Sequence, residues 1–320
     1  MYLVYDIGGT YIKHGLMNEQ GEIFKKGKVP TPAFHEKTVA DFIDAIGGIY
    51  DTYRNDALQG IAMSLPGQID VERGIVYGGG ALPYLDGLNV ADIVSERCGG
   101  LKVALENDAK CAALAESWIG NAKDAKSACV IVIGTGIGGG LIIDGRVHHG
   151  QDMIAGELSF WIDNISLEDL GKLRPIEKLK KREEFLELPK GLWNNRASVM
   201  NLRRDVAEHK GLDYEEVSGE LIYQWAAQGD AYVNETLNRM YLSLAKQLCN
   251  LYIVFAPEVF LIGGGISAQP MFVEGVRQYA KQLGKISQVF RNMKVERCKF
   301  MNDSNMIGAL KNYFQKYEEQ

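Results

Sequence analysis

The chain has 320 residues, of which 46% are hydrophobic and 24% charged, a composition typical of a globular protein with one large or two average domains. Its formal net charge of −6 argues against a nucleic-acid-binding surface, because such a surface needs clustered basic residues. The sequence shows no bilayer-spanning apolar run, no signal peptide and no C-x-x-C pair among its five cysteines. We therefore expect a cytoplasmic protein without a membrane or nucleic-acid partner.

The patterns along the chain predict alternating strands and helices. Strand patterns at residues 2–7 and 11–17 flank a glycine-rich turn, and a polar turn at 18–21 leads into a third strand. In chain order, the remaining patterns predict a helix over 36–53, a strand over 61–65, a loop around 78–80, a helix over 90–97, a strand over 101–106, a helix over 109–118, strands over 128–133 and 141–143, helices over 196–210, after 219 and over 231–255, a strand over 258–262, a helix over 271–283, a strand over 294–300 and a helix over 306–314.

The first turn, Gly8-Gly9-Thr10, has the composition of a phosphate-binding loop. Backbone N–H groups that are not shielded by side chains suit phosphate oxygens, and the threonine hydroxyl adds a donor. Asp6 lies inside the preceding strand, where an unpaired carboxylate is costly and a metal bound to phosphate would remove that cost. A β-turn with a satisfied aspartate is the structural alternative.

The first strand–turn–strand unit recurs 126 residues later. Val4, Ile7 and Gly8 align with Val130, Ile133 and Gly134, and both units end in a polar hairpin turn. Such a repeat predicts a duplicated domain with a cleft between the two halves. Asp6 aligns with Val132, so the acid is needed in only one copy, which favours a metal-handling role over a structural one.

Asn107 and Asp108 follow a strand directly and precede a helical pattern. Either side chain suits the N-cap of that helix, so a capping role for Asp108 stands beside a catalytic one.

The segment 163–194 differs in character from the rest of the chain, because it is rich in charged residues and contains two prolines. We interpret it as a solvated insertion, with a substrate-closing lid as the alternative.

A third apolar strand ends in Gly263-Gly264-Gly265, and a nucleotide held between two domains would explain all three glycine turns together. None of them has the G-x-x-x-x-G-K-[ST] form of a P-loop. The turn at Gly134-Thr135-Gly136 returns as a hairpin instead of entering a helix, which disfavours a dinucleotide-binding fold.

With these motifs in order, the chain resembles a sugar kinase of the ROK family, in the hexokinase/actin-like superfamily. The resemblance covers nearly the whole chain and rests on five stretches: Asp6-Ile7-Gly8-Gly9-Thr10, Glu106-Asn107-Asp108-Ala109, Gly134 to Gly140, Ala155-Gly156-Glu157 and Gly263-Gly264-Gly265. It implies an α/β protein with a duplicated actin-like ATPase (ribonuclease H-like) fold and two domains around a cleft. The implied smaller domain comprises 1–118 and 304–320, and the larger one comprises 119–303 with the ATP and sugar contacts.

The resemblance also implies roles for single residues. Asp108 would be the general base, with Asn107, Glu157, Gly67 and Phe160 around the sugar. Asp6 would assist Mg²⁺ through phosphate or water. The residues implied to bind ATP are Asp6, Gly8, Gly9, Thr10, Lys13, Gly134, Thr135, Gly136, Gly138, Gly264 and Gly265.

Two departures from the family pattern concern zinc and the sugar pocket. Many family members have a histidine where Phe160 stands and bind zinc through a C-x-C-G-x-x-G-C cluster, whereas no cysteine lies here between Cys129 and Cys249. Zinc is therefore not expected, and Phe160 could stack on a second sugar ring or an aglycone. In this respect the chain is most similar to zinc-less bacterial β-glucoside kinases.

The resemblance therefore implies an ATP- and Mg²⁺-dependent kinase, expected to be a homodimer, that phosphorylates the 6-hydroxyl of a β-glucoside such as cellobiose. A glucokinase or an N-acetylmannosamine kinase is the alternative. The family also includes sugar-sensing repressors, but the N-terminal helix-turn-helix of such a regulator is not expected in a chain whose first strand pattern starts at residue 2.

Overall fold

A computed structural model of the chain describes residues 1–34, 37–172 and 191–319. It contains two compact units. The first comprises Met1–Val130, Gly140–Gly156 and Lys299–Gln320, and the second comprises Ile131–Gly139 and Glu157–Cys298. The functional domain boundaries expected from the sequence stay a prediction.

The described residues form mixed α/β structure, as the sequence patterns predict. The strands are β1 (Tyr2–Ile7), β2 (Tyr11–Met17), β3 (Ile23–Pro30), β4 (Gly60–Leu65), β5 (Gln68–Asp70), β6 (Ile75–Tyr77), β7 (Leu88–Asn89), β8 (Val103–Asn107), β9 (Ser127–Ile133), β10 (Ile137–Ile143), β11 (Arg146–Val147), β12 (Val259–Gly263) and β13 (Val295–Arg297). The helices are α1 (Val39–Tyr53), α2 (Val90–Arg97), α3 (Asp108–Ile119), α4 (Leu167–Lys172), α5 (Asn194–Ala197), α6 (Val199–Lys210), α7 (Gly219–Ala227), α8 (Ala231–Phe255), α9 (Pro270–Leu283) and α10 (Ser304–Tyr317). Short 3₁₀ turns connect several of them.

The two large sheets have the same topology. Their strand orders are β3-β2-β1-β4-β8 and β11-β10-β9-β12-β13, so each sheet has an antiparallel hairpin followed by strands that return from crossover connections. β1 pairs in parallel with β4, and β12 pairs in parallel with β13. The strands of the two hairpins also lie at corresponding positions, because β1 ends at Ile7 and β9 at Ile133, 126 residues later. The predicted duplication is therefore confirmed.

A third, three-stranded sheet (β5-β6-β7) occupies residues 68–89, where the sequence patterns predicted a loop. Its strands are only two or three residues long. β5 and β6 alternate half-buried and buried positions, but over too short a run to be recognised as a period. Gly67 precedes this sheet with φ of 103°, where a Cβ atom would lie 2.8 Å from the carbonyl oxygen of Tyr77.

Helix boundaries follow capping side chains. α1 begins after Thr38, whose side chain accepts the N–H of Asp41 while Asp41 accepts the N–H of Thr38. The helical pattern predicted over 196–210 is two helices, because Ser198 adopts extended backbone and caps α6 by accepting the N–H of Asn201. The last predicted strand is shorter than expected and the last helix is longer.

The first unit packs its sheet between two hydrophobic layers. One face of β1 and β4 contacts α1 and α2, and the other contacts α3 and α10. The helices α3 and α10 approach closely at Gly308, where a Cβ atom would lie 1.7 Å from the carbonyl oxygen of Cys111. No helix among residues 1–34, 37–172 and 191–319 is long and apolar enough to cross a membrane. Most of the predicted charged insertion lies outside the described residues.

The buried imidazole of His14 predicts an acid-sensitive fold. Burial lowers the pKa of His14 below its ordinary value, and the hydroxyl of Tyr53 lies 3.3 Å from Nδ1. Between the lowered pKa and a pH of about 6.5, unfolding therefore takes up a proton at His14. The contribution of neutral His14 to the free energy of unfolding is complete above a pH of about 6.5 and decreases as the pH falls towards the lowered pKa. The H14Q variant should therefore lose less stability than the wild type between pH 7.5 and 5, by about 1.4 kcal/mol for each pH unit by which burial lowers the pKa.

Urea unfolding at the two pH values measures this difference. The exposed His148 provides a control, because H148Q should keep the wild-type pH dependence. Identical pH dependence in H14Q and the wild type would contradict the prediction.

Candidate active site

In the first unit, Asp6 is a buried carboxylate with two partners. Lys13 lies directly opposite Asp6 on β2, and its Nζ is 3.0 Å from Oδ2. Asn305, in the first turn of α10, donates from Nδ2 to Oδ1 at 2.9 Å. A cation and an amide thus offset the cost of burying Asp6 in this structure. The metal-handling role of Asp6 stays a prediction.

The turn after Asp6 presents backbone donors to solvent. The N–H of Gly8 donates to the carbonyl of Tyr11, and Thr31 fixes the turn by donating to the carbonyls of Gly8 and Thr10. Gly9 and Thr10 are exposed, and within the described part of the chain their N–H groups have no hydrogen-bond acceptor. Two free amides beside a lysine can bind an anionic group such as a phosphate.

Asn107 and Asp108 lie where β8 passes into α3. Asn107 is the N-cap, and its Oδ1 accepts the N–H groups of Ala109 at 3.0 Å and Lys110 at 3.2 Å. Its Nδ2 donates to the carbonyl of Gly67 at 3.0 Å, which places two of the predicted sugar-binding residues together. Because the amide oxygen is occupied, Asn107 can offer a sugar only its second Nδ2 hydrogen.

Asp108 is the first residue of α3, and its carboxylate accepts the N–H of Ala109 at 2.8 Å. The residue is half-buried, so it can reach a ligand while the helix N-terminus stabilises its negative charge. The N-cap role that the sequence offered as an alternative for Asp108 falls to Asn107.

In the second unit, the glycine turn after β9 is anchored by residues from elsewhere in the chain. The N–H of Gly134 donates to the carbonyl of Gly136, and the carbonyl of Gly134 accepts the N–H of Val199 at 2.9 Å. Asn194 accepts the N–H of Ile137 at 3.1 Å. Thr135 at the tip is exposed, and Gly134 has open space where a Cβ atom would lie. The turn therefore has a fixed backbone and an exposed tip.

The third glycine turn lies directly against the second one. Gly264 has φ of 87°, and a Cβ atom there would be 2.1 Å from the carbonyl oxygen of Ile133, the last residue of β9. Gly265 has open space around it. The predicted nucleotide-binding glycines 134–138 and 264–265 are thus brought together within one unit.

Glu157 precedes a single 3₁₀ turn in the second unit, and Phe160 is the last residue of that turn. Glu157 is half-buried, whereas the side chain of Phe160 is 59% exposed. Ser159 between them donates to the carbonyl of Ile137 at 2.7 Å, which ties the turn to β10. An exposed aromatic ring on a fixed turn is a surface on which a ligand can stack.

Two residues that support these sites were missed at the sequence level. Asn305 pairs with Asp6 across 299 positions, and Asn194 holds the second glycine turn across 57 positions. Each stands near a helix start, where asparagine is common, so no local pattern distinguishes either one.

The described residues contain no group of three or more histidine, cysteine, aspartate or glutamate side chains that could hold a metal. Magnesium in phosphoryl-transfer sites is commonly held by one or two carboxylates, waters and the substrate phosphates. Asp6 beside the open amides of Gly9 and Thr10 fits that requirement.

Comparisons with known proteins agree with these motifs along the chain. The sequence pattern described as the ROK family matches residues 2–315. The chain belongs to the ROK family. A β-glucoside kinase of Listeria monocytogenes is 30% identical to this ROK protein over 311 residues, covering 97% of this chain and 96% of the relative.

An N-acetyl-D-glucosamine kinase of Aliivibrio fischeri is 29% identical and covers 92% of this ROK protein and 94% of the relative. The crystal structure of a ROK family protein from Streptococcus pneumoniae in complex with sucrose matches with a TM-score of 0.82 and 31% identity, covering 100% of this chain and 99% of that one. The predicted α/β fold of the hexokinase/actin-like superfamily is confirmed.

Proposed function

We propose that this protein transfers the γ-phosphoryl group of ATP to the 6-hydroxyl of a hexose unit, and that its preferred acceptor is a β-glucoside. The broader enzyme class is firm, because relatives that share about 30% of its residues over nearly its whole length are sugar kinases. The observation that carries the reaction is the half-buried Asp108 at the start of α3, oriented beside an asparagine whose oxygen is already used as the cap.

In this proposal Asp108 is the general base. Phosphoryl transfer is mostly positioning and charge stabilisation, and an oriented carboxylate takes the hydroxyl proton as the new P–O bond forms. Asn107 and Gly67 hold the acceptor beside Asp108, and Asn107 contributes the free hydrogen of its Nδ2. Glu157 binds sugar hydroxyls as an acceptor.

The phosphates of ATP are assigned to the glycine turns. Gly9 and Thr10 supply free amides in the first unit, and Lys13 adds a positive charge that Asp6 orients. Gly134, Thr135, Gly136 and Gly138 supply the corresponding turn in the second unit, with Gly264 and Gly265 next to the adenosine. Magnesium, held through Asp6 and the phosphates, neutralises charge on the transferring group when bound.

The β-glucoside assignment is supported by Phe160. This exposed ring stands where many family members have a histidine, and aromatic rings bind the flat apolar faces of a second sugar or an aglycone. A β-glucoside kinase among the relatives and a disaccharide bound in the Streptococcus structure are consistent with an acceptor larger than one sugar ring.

A coupled ADP-release assay over a sugar panel tests the acceptor. We expect turnover of cellobiose and arbutin, with glucose, N-acetylglucosamine and N-acetylmannosamine as poorer acceptors. Turnover of free glucose without turnover of either β-glucoside would refute the β-glucoside assignment and favour a glucokinase. Preference for an N-acetyl sugar is the second alternative, favoured by the similarity to an N-acetyl-D-glucosamine kinase.

The stacking role of Phe160 predicts a selective change in KM. In F160A, the KM for cellobiose should rise about 3- to 10-fold, since one aromatic contact contributes about 0.5–1.5 kcal/mol. The KM for ATP should stay at the wild-type value. Phe24, an exposed aromatic residue on β3, offers the matched variant F24A, which should change neither constant. An unchanged KM for cellobiose in F160A would contradict the proposed stacking contact.

The oligomeric state belongs to the same proposal. By its resemblance to the family we propose a homodimer, which light scattering of the purified protein would test.

A further inference from the structure

The carboxylate of Glu106, two residues before the proposed base Asp108, is fully buried and has two short hydrogen bonds. Its Oε1 accepts the backbone N–H of Asn107 at 2.7 Å. Its Oε2 lies 2.7 Å from Nε2 of His149. One carboxylate thus links the backbone of the Asn107 cap to an imidazole from a distant segment of the same unit.

His149 follows β11 and begins a segment with unusual backbone geometry. Gly150, Asp152 and Met153 all have positive φ, at 67°, 52° and 59°. Non-glycine residues in this region cost of order 1–3 kcal/mol each and persist only where their surroundings fix them. The carbonyl of His149 accepts the N–H of Ala155 at 3.0 Å, so His149 anchors both ends of this strained segment.

We propose that the His149–Glu106 pair positions the Asn107–Asp108 turn for catalysis, an inference that rests on the proposed kinase function. Asn107 must present its side chain to α3 and to Gly67 together, which fixes the start of the helix and the direction of Asp108. Glu106 accepts the backbone N–H of Asn107, at the start of this turn. His149 is the partner that keeps the carboxylate of Glu106 in place.

Loss of His149 removes a partner from a buried carboxylate, which is costly unless the group moves or takes up a proton. Either response weakens the bond to the Asn107 N–H. A displacement of about 1 Å at a catalytic group can reduce the rate by about 10²-fold. His149 therefore acts through Glu106 and the backbone as a positioning residue.

Kinetics of three variants test this role. H149L should lower kcat by about 10-fold or more, because the hydrogen bond to Glu106 is lost. The KM for ATP should stay unchanged, because the affected turn is proposed to contact the sugar and not ATP. H149Q should recover most of kcat, since the glutamine Nε2 can donate to Glu106 from a similar position. The exposed neighbour gives the control H148L, which should behave as the wild type.

Amide hydrogen exchange over residues 103–110, measured by mass spectrometry, tests the same role without depending on enzyme activity. Exchange should be faster in H149L than in the wild type, H149Q and H148L, measured with each full-length protein. If H149L does not fold, E106Q is measured instead, because this variant keeps an acceptor for the Asn107 N–H. E106Q should raise exchange and lower kcat without abolishing turnover.

The outcomes separate the two proposals. Wild-type kcat and wild-type exchange in H149L, or a kcat in H149Q as low as that in H149L, would overturn the positioning role. If the wild type turns over no sugar in the panel, the kinase proposal fails. The exchange experiment then still decides whether His149 holds the turn.

Discussion

Replacing Asp108 by asparagine is expected to lower kcat by about 10²- to 10⁴-fold, the range typical for loss of a general base. The substitution is nearly isosteric, and the amide oxygen of asparagine can still accept the N–H of Ala109 that the carboxylate accepts at 2.8 Å. What is lost is the ability to take a proton from the sugar hydroxyl. Sugar binding should therefore remain measurable by calorimetry while ADP release nearly stops.

The control for D108N is D92N. Asp92 is exposed in the first turn of α2, so this variant makes the same chemical change at another helix start. D92N should keep full activity. Activity of more than a few per cent in D108N would show that the base is misassigned.

The second large effect is expected at Gly264. A residue with a Cβ atom meets two penalties there, because φ of 87° with ψ of 167° is nearly restricted to glycine and because the carbonyl oxygen of Ile133 would lie 2.1 Å away. The obstructing atom belongs to the backbone of a buried strand, which cannot move aside as a side chain could. We expect G264A to lose about 3 kcal/mol or more of unfolding free energy.

The next residue provides the matched comparison. A Cβ atom on Gly265 would have no heavy atom within 4 Å, and the residue has no positive φ, so G265A should stay within about 1 kcal/mol of the wild type. Urea unfolding of both variants measures the difference. Equal stability of G264A and G265A would contradict the close approach of this turn to β9.

Features set by neighbouring residues could be predicted from the sequence. The glycine turns at Gly8 and Gly134 follow apolar strands, and the 126-residue repeat aligns them, so the duplicated hairpins follow from local pattern alone. The position of Asp108 at a helix start was equally local, because a strand pattern, two capping residues and an alanine-rich helix follow one another.

Features that depend on distant pairing could not be predicted in this way. The two partners of Asp6 could not be predicted, because nothing near Asp6 in sequence indicates Asn305 and Lys13 becomes its partner only through the register of β1 and β2. The small sheet β5-β6-β7 was missed because its strands are too short to show a period. The pairing of His149 with Glu106 joins residues 43 positions apart, and no sequence motif indicates it.

The packing of α10 against α3 has a consequence for the order in which the protein can be made. α10 is formed by residues 304–317, yet it covers the face of β1, β4 and α3 that supports Asp6 and Asp108. The close approach of the two backbones at Gly308 leaves no room for a Cβ atom at this position. On the ribosome, the strands and helix that carry Asp6 and Asp108 are therefore synthesised early and remain with one face uncovered until residue 317 has emerged. Stop codons shortly before residue 304 should yield chains that cannot complete the first unit, however intact their second unit is.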